Sequence, residues 1–502
     1  MPTYAYFFLS LAILIGGYAI YGRLVERLFK PNYLRPTPAV TMYDGVDYVK
    51  LPTWKLFLIQ LLNIAGVGPV FGPILGALYG PSALLWIVFG TLLAGGVHDY
   101  FSGMLSLRYD GKSIADVVGY TLGNGFKQFM RGFSLVLLVL VGVVFVTAPA
   151  GILNGLTSEK WPLINTGFWL AVIFGYYFLA TILPIDVIIA RIYPLFAAVL
   201  LIMAFGVAGG MIVKGYVFYD WPEITQGATV LSNVHPKGLP MWPLMFITIA
   251  CGALSGFHAT QSPLMSRCCP NENNGRLVFY GAMVAEGVIA MVWATAGMTF
   301  YESPAALQAV IDQGGAGLVV QKISLSVLGG VGGILAILGV VILPISSGDT
   351  AFRAARLLVS DFTGVSQKKA LSRLAIAVPL FAIGIVLSQI KFEIVWRYFG
   401  WANQTLATLV LWAAAAYMVR RGGFYWLVAI PALFMTATTV AYIMGAKEGF
   451  RIPWELSTWI GFGAAAVSLV WFVLSRDKFR EKILLELPVH RDCAPGERPQ
   501  LP

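Results

Sequence analysis

The stretch Leu58-Ile59-Gln60-Leu61-Leu62-Asn63-Ile64-Ala65-Gly66-Val67-Gly68-Pro69-Val70-Phe71-Gly72-Pro73 decides the fold. It starts as an apolar helix, meets a patch of glycine, proline and asparagine at its centre, and resumes. A second stretch repeats the pattern: Ile247-Thr248-Ile249-Ala250-Cys251-Gly252-Ala253-Leu254-Ser255-Gly256-Phe257-His258-Ala259-Thr260-Gln261-Ser262-Pro263. In lipid, backbone N–H and C=O groups must be satisfied within the protein, so an unwound stretch at membrane depth has to line a cavity or hold a ligand. A matched pair of interrupted spans is the sequence mark of a secondary transporter's binding site.

The surrounding composition fits a membrane interior. The chain has 502 residues, of which 58% are hydrophobic and 12% charged, with a mean hydropathy of +0.77; soluble domains carry about 25% charged residues. The protein reads as an all-α, polytopic membrane protein whose partners are the lipid bilayer and a solute. The net charge of +10 points to basic cytoplasmic loops rather than to nucleic acid. Cys251, Cys268, Cys269 and Cys493 lack zinc-ribbon spacing, and none sits where a disulfide framework would form. The apolar run from Tyr4 to Ile20 has neither a basic segment before it nor a small-residue cleavage site after it, and reads as a retained span. No phosphate-binding glycine loop follows a strand pattern, which disfavours an ATP-driven pump.

Scanning for about 20 apolar residues per crossing gives thirteen spans: 3–22, 55–80 (broken), 82–105, 131–154, 163–183, 185–212, 241–266 (broken), 278–300, 328–352, 371–390, 395–419, 424–444 and 455–475. Pro184 marks a helix boundary, because the residue before a proline avoids the helical region. With the first loop placed inside, all but eight of the 34 Lys and Arg residues fall on the cytoplasmic side. The eight are Lys160, Lys214, Lys237, Lys322, Lys391, Arg397, Lys447 and Arg451. That asymmetry puts the N-terminus outside and the C-terminus in the cytoplasm, as expected for a cell inner-membrane protein.

Spans two to six and seven to eleven then form two five-helix groups of opposite orientation, an inverted repeat. The layout is 1–54 for the first span and loop, 55–212 for the first repeat, 213–420 for the second, 421–475 for two extra spans, and 476–502 for a cytoplasmic tail. Residues 303–327, divided by Gly314 and Gly315, read as two short helices on the external face.

The candidate site residues lie at the breaks. In the first, Asn63, Gly66, Gly68, Pro69 and Gly72 combine close backbone approach, freed carbonyls and a half-helix N-terminus that attracts anions. The alternative is that the glycines only let helices pack. In the second, Ser255, Gly256, His258, Thr260 and Gln261 are too polar to face lipid, and His258 can carry a proton or bond an anionic solute. Asn403, in span eleven, is a candidate to line the pathway or simply to pack. For ion coupling the candidates are Ser346, Ser347 and Asp349 in span nine, Asp99 in span three and Glu286 in span eight. Tandem hydroxyls can supply oxygens to a small cation, or can bond back to their own helix. Asp349 is also a possible partner for Arg353 and Arg356. Asp186 reads as a boundary ion pair. His98, Asp99 and His258 could together hold a metal, although no ligand spacing supports it.

Four stretches carry a resemblance to a known family: Tyr43-Asp44-Gly45-Val46-Asp47-Tyr48-Val49, Ile64-Ala65-Gly66-Val67-Gly68-Pro69 with Gly72-Pro73, Ser255-Gly256-Phe257-His258, and Asp349-Thr350-Ala351-Phe352-Arg353. They resemble the carbon starvation protein A family, prokaryotic inner-membrane transporters linked to uptake of peptides and in some cases pyruvate. The resemblance implies similarity to the amino acid–polyamine–cation superfamily and so a leucine-transporter-like 5+5 inverted repeat. It would place Ser346 and Ser347 near that fold's sodium-binding hydroxyl pair. The expectation is a secondary importer of small peptides or a small carboxylate, not an enzyme, needing no cofactor beyond a coupling sodium ion, other cation or proton. An ion channel and a metal-binding sensor or enzyme are the alternatives; no charge ring or repeated filter supports a channel.

Overall fold

A computed structural model describes residues 4–158, 160–183, 189–225, 231–367 and 369–481. Pro184, Asp186 and the tail beyond 481 lie outside the described residues. The described chain is helical throughout. Helix α1 spans Tyr4–Phe29, and the first broken span is α2 (Thr53–Ile64) and α3 (Gly68–Gly76). There follow α4 (Ser82–Arg108), α5 (Ile114–Leu122), α6 (Asn124–Thr157), α7 (Thr166–Ile182) and α8 (Ile189–Val213). The second broken span is α9 (Met241–Thr248) and α10 (Gly256–Ser266). The chain continues with α11 (Glu272–Phe300), α12 (Pro304–Thr363), α13 (Ala370–Leu387), α14 (Phe392–Arg420), α15 (Trp426–Gly445) and α16 (Trp454–Leu474).

Ten described helices are long and apolar enough to cross a membrane, and the α2/α3 pair, bent by 50°, makes an eleventh. The thirteen crossings expected from the sequence thus compare with ten to eleven among the described helices; α7 is apolar but only 17 residues long, and α9 and α10 are short helices of 8 and 11 residues. Both breaks form for local reasons. At the first, Ala65 leaves the helical region (φ −81°, ψ 67°), and Gly68-Pro69 restarts the helix with proline in its first turn, where a missing N–H costs nothing. At the second, Ile249 departs (φ −93°, ψ 65°). Gly252 then takes a positive φ of 89° that other residues resist, and Ser255 is extended before Gly256 restarts the helix.

The symmetry also reaches the second helix of each repeat. α4 carries a π-helical stretch at Trp86–Gly95 and α11 carries one at Arg276–Gly281. Wide turns of this kind collect at functional sites. Asp99 follows the first π stretch and Glu286 follows the second.

Several span limits differ from the sequence reading. α12 runs on to Thr363 rather than ending near 352, and is non-helical at Gly314, Gly315 and Gly329. It extends because Arg353 and Arg356 are buried and paired instead of flanking the membrane. α6 begins at Asn124 rather than 131, since Lys127 and Arg131 both pair with Asp116 at the end where the loops are basic. That end is the basic face of the molecule.

Candidate functional site

The two breaks touch. A Cβ built on Gly68 would lie 2.2 Å from Cys251 Cβ, one on Gly72 would lie 2.8 Å from the Thr248 carbonyl oxygen, and one on Gly252 falls 3.6 Å from Pro69 Cα. Gly66 backs onto the Phe145 ring, 2.2 Å from an added Cβ. Gly256 meets backbone, with the Asn403 carbonyl oxygen at 2.2 Å and the Ala407 nitrogen at 2.4 Å. The glycines at these positions bring protein to protein, which is the packing alternative. In doing so they seat one break upon the other.

The first break leaves polar groups facing inward. Gly66 N–H donates to Ile64 instead of Leu62, which frees the Leu62 carbonyl. The Ser346 and Ser347 hydroxyls of α12 both donate to that carbonyl, at 3.2 and 2.8 Å. The hydroxyl pair therefore does more than bond back to its own helix, although Ser346 also reaches Leu343. Asn63 and Gln60 are wholly buried, and all four of their amide atoms lack a hydrogen-bond partner. Such groups are costly inside a protein, so these two amides stand out from the rest of the helix. Gln60 was not singled out from the sequence; its signal was an amide one turn before Asn63 in an apolar helix.

At the second break His258 stands between two acids. Its Nδ1 lies 2.8 Å from Asp99 Oδ2, and its Nε2 lies 3.3 Å from Glu286 Oε2. His98 Nδ1 meets the other Asp99 oxygen at 2.7 Å, so these sequence neighbours do share a partner. All four side chains are fully buried. Cys251 joins them, with one ligand atom each from Cys251, His258 and Glu286 lying within 4.8 Å of one another. The cluster thus differs from the His98, Asp99 and His258 set: His98 bonds the other oxygen of Asp99, and Cys251 and Glu286 stand in place of His98 and Asp99 around His258. Nothing in the spacing of Cys251 and Glu286 could have announced that.

Other expected site residues support the breaks. Asn403 Oδ1 accepts the Phe257 N–H at 2.6 Å and its Nδ2 donates to Ser255 Oγ at 3.0 Å, so α14 caps α10. Thr260 donates to the Phe257 carbonyl and accepts from Gln261 Nε2 at 3.0 Å. Asp349 accepts from the Tyr176 hydroxyl at 2.7 Å. It is not the partner of Arg353 and Arg356.

Their partner is Asp47, in the loop before α2. Arg353 Nη1 donates to Asp47 Oδ1 at 3.0 Å, and Arg356 Nη2 lies 3.4 Å from Oδ2. Asp44 Oδ1 accepts three successive N–H groups, from Val46, Asp47 and Tyr48, and so shapes the turn that presents Asp47. Tyr48 lies beneath the Arg267 guanidinium, 5.1 Å from it. Burial raises the Asp47 carboxyl, but Arg356 and Arg353 draw it below its ordinary value. This strap covers the basic face. At the opposite face a cavity of about 760 Å³ opens between α3, α6, α12 and α14, lined by Phe71, Gln321, Trp396 and Arg397 among others. Trp396 also lines a small cavity that reaches Gly68 and Cys251.

Two broken helices seated on each other inside an inverted repeat define a leucine-transporter-like membrane protein. Comparison with solved structures agrees on the fold. MhsT, solved with L-phenylalanine, matches with a TM-score of 0.55 over 84% of this chain and 98% of its own, at 14% identity. Mhp1, a nucleobase-cation-symport-1 family transporter, matches at 0.52 over 90% and 99%, at 15% identity. The model of the carbon starvation protein CstA family matches residues 3–165, 150–313 and 295–442, and the chain belongs to that family. Among curated relatives, the peptide transporter CstA of Escherichia coli is 25% identical over 88% of this chain and 81% of its own. The pyruvate/proton symporter BtsT of the same organism is 26% identical over 56% of this chain and 47% of its own.

Proposed function

We propose that this protein is a secondary active transporter that imports a small carboxylate-bearing solute, a short peptide or pyruvate, by ion-coupled alternating access. The observation that carries the reading is the unpartnered, fully buried Asn63 and Gln60 at a break seated directly against a second break. These amides can bond a carboxylate or a peptide group, and the N-terminal end of α3 at Gly68, which no side chain caps, adds positive dipole. The similarity to a peptide transporter and to a pyruvate/proton symporter supports both solute classes.

The same reading assigns the coupling cation to the Leu62 carbonyl and the Ser346 and Ser347 hydroxyls, supported by the bonds that already join them. A hydroxyl that donates to this carbonyl can rotate and offer its lone pair to a cation, linking α2 to α12 when the ion binds. The basic face is taken as cytoplasmic in a cell inner membrane, on the charge asymmetry. The state described is then closed on the cytoplasmic side by Asp47 and open outside through the vestibule. Proteoliposome uptake of labelled pyruvate and labelled dipeptide, under imposed proton or sodium gradients, tests this. Accumulation of one solute that follows one gradient supports it; equal, gradient-independent leakage of both overturns it.

A further inference from the structure

Neither the fold nor the solute explains the chemistry gathered at the second break. Asp99 accepts, so the His258 Nδ1 that meets it at 2.8 Å carries the hydrogen, and a neutral ring, the form a metal binds, would present its Nε2 lone pair. That lone pair faces Glu286, whose two oxygens have no hydrogen-bond partner, and His258 Nε2 has none either. Their 3.3 Å separation exceeds the ~2.7–2.9 Å of a charge-assisted hydrogen bond. It matches the edge of a metal tetrahedron instead, since two ligand atoms about 2.0–2.1 Å from a zinc ion stand roughly 3.4 Å apart. Cys251 Sγ lies within 4.8 Å of both.

We propose that Cys251 Sγ, His258 Nε2 and a Glu286 carboxylate oxygen form a divalent transition-metal site, with zinc as the cation that best suits its ligands. One sulfur, one nitrogen and one oxygen are the donor types zinc takes, and three protein ligands leave a fourth position open. Asp99 on Nδ1 supplies the outer-shell carboxylate that fixes the tautomer and orientation of a metal-bound histidine. Ser255 Oγ at 3.5 Å and Asn403 Nδ2 at 3.9 Å from Cys251 Sγ can both donate to a thiolate. On binding, the Cys251 thiol gives up its proton and the cation balances the thiolate and Glu286, charges that are otherwise costly at membrane depth. Cys251 lines a small cavity, and Trp396 lines both that cavity and the larger outer one. The ion would pin the unwound segment between α9 and α10 to α11. This assignment does not depend on which solute is carried.

The test uses the full-length protein purified in detergent, stripped with chelator and titrated with Co²⁺ as a spectroscopic stand-in for Zn²⁺. One equivalent should bind with a thiolate-to-metal charge-transfer band, and Zn²⁺ should displace it stoichiometrically. Cys251→Ser should abolish the band and Glu286→Gln should weaken binding at least tenfold. Asp99→Asn should weaken it tenfold or more through His258 alone, in line with the ~10–100-fold effect of outer-shell partners. Cys269→Ser, buried elsewhere, should leave binding unchanged. A proton shared between His258 and Glu286 in place of a metal would show as no stoichiometric binding and overturns the proposal. So does a band that survives in Cys251→Ser. Each variant is checked for an intact melting transition, with Cys251→Ala as a second replacement. Loss of uptake with metal binding intact would count against the transport reading alone.

Discussion

Replacing Gly66 with alanine should damage the first break in a way that a second substitution repairs. The added Cβ would stand 2.2 Å from Phe145 Cζ and 2.5 Å from Cε2, more than 1 Å inside the ~3.5–4.0 Å separation of carbon atoms in contact. The ring cannot swing away. Phe145 is fully buried, with Phe257 at 5.7 Å and Phe399 at 6.0 Å between ring centroids on its other sides. Overpacking of this kind costs about 1–3 kcal/mol. Spent on the competent arrangement of the break, that corresponds to a roughly 5–150-fold loss of its population. The assay is initial uptake in proteoliposomes with a melting curve in detergent for each variant. Gly66→Ala should lower both, Phe145→Leu should lower stability modestly, and the double variant should recover part of the loss, with a coupling of about 0.5–3 kcal/mol. Wild-type uptake and melting in Gly66→Ala would refute the packing, and additive losses in the double variant would refute the contact. Gly256→Ala is the contrasting case: its Cβ meets the α14 backbone, so no single side-chain truncation should restore it.

Other expectations follow from the same geometry. Asp47→Asn strips Arg353 and Arg356 of a buried partner, a loss of about 3–5 kcal/mol, and should raise labelling of a cysteine placed at the buried Leu51 at neutral pH; unchanged labelling would mean the strap does not close that face. Because Asp47 sits below its ordinary carboxylate range, its contribution is complete above the unfolded value and fades only as pH falls through the lower folded one. The native strap should therefore hold at pH 5 and loosen below about pH 4, as read by the same labelling. Ser346→Ala with Ser347→Ala leaves the Leu62 carbonyl unpaired, at about 1–3 kcal/mol. The double variant should lose dependence on the coupling gradient while still exchanging solute; retained dependence would move the ion elsewhere.

The broken spans could be read directly because each break is local chemistry: Gly68-Pro69 restarts one helix and Gly252 turns the other, and glycine or proline declares such a place in any sequence. The inverted orientation was visible through charge, since basic loops sort by side. Pairing was not. Asp47 reaches Arg353 across some 300 positions, and Cys251, His258 and Glu286 meet only because α9, α10 and α11 are folded together. Glycine roles were only half visible, because Gly66 and Gly256 signal close approach without saying whether a ligand or Phe145 and Asn403 comes near. Gln60 and Asn63 look alike in sequence to Asn403 and Gln404. Only burial without partners separates the first pair from Asn403, whose amide is taken up by the break itself.

If the two breaks enclose one solute site, equilibrium binding of the transported solute will show it. Purified wild-type protein should bind labelled pyruvate or dipeptide saturably, and Asn63→Ala should reduce that affinity at least tenfold with an unchanged melting transition. Equal affinity in the two proteins would contradict the account.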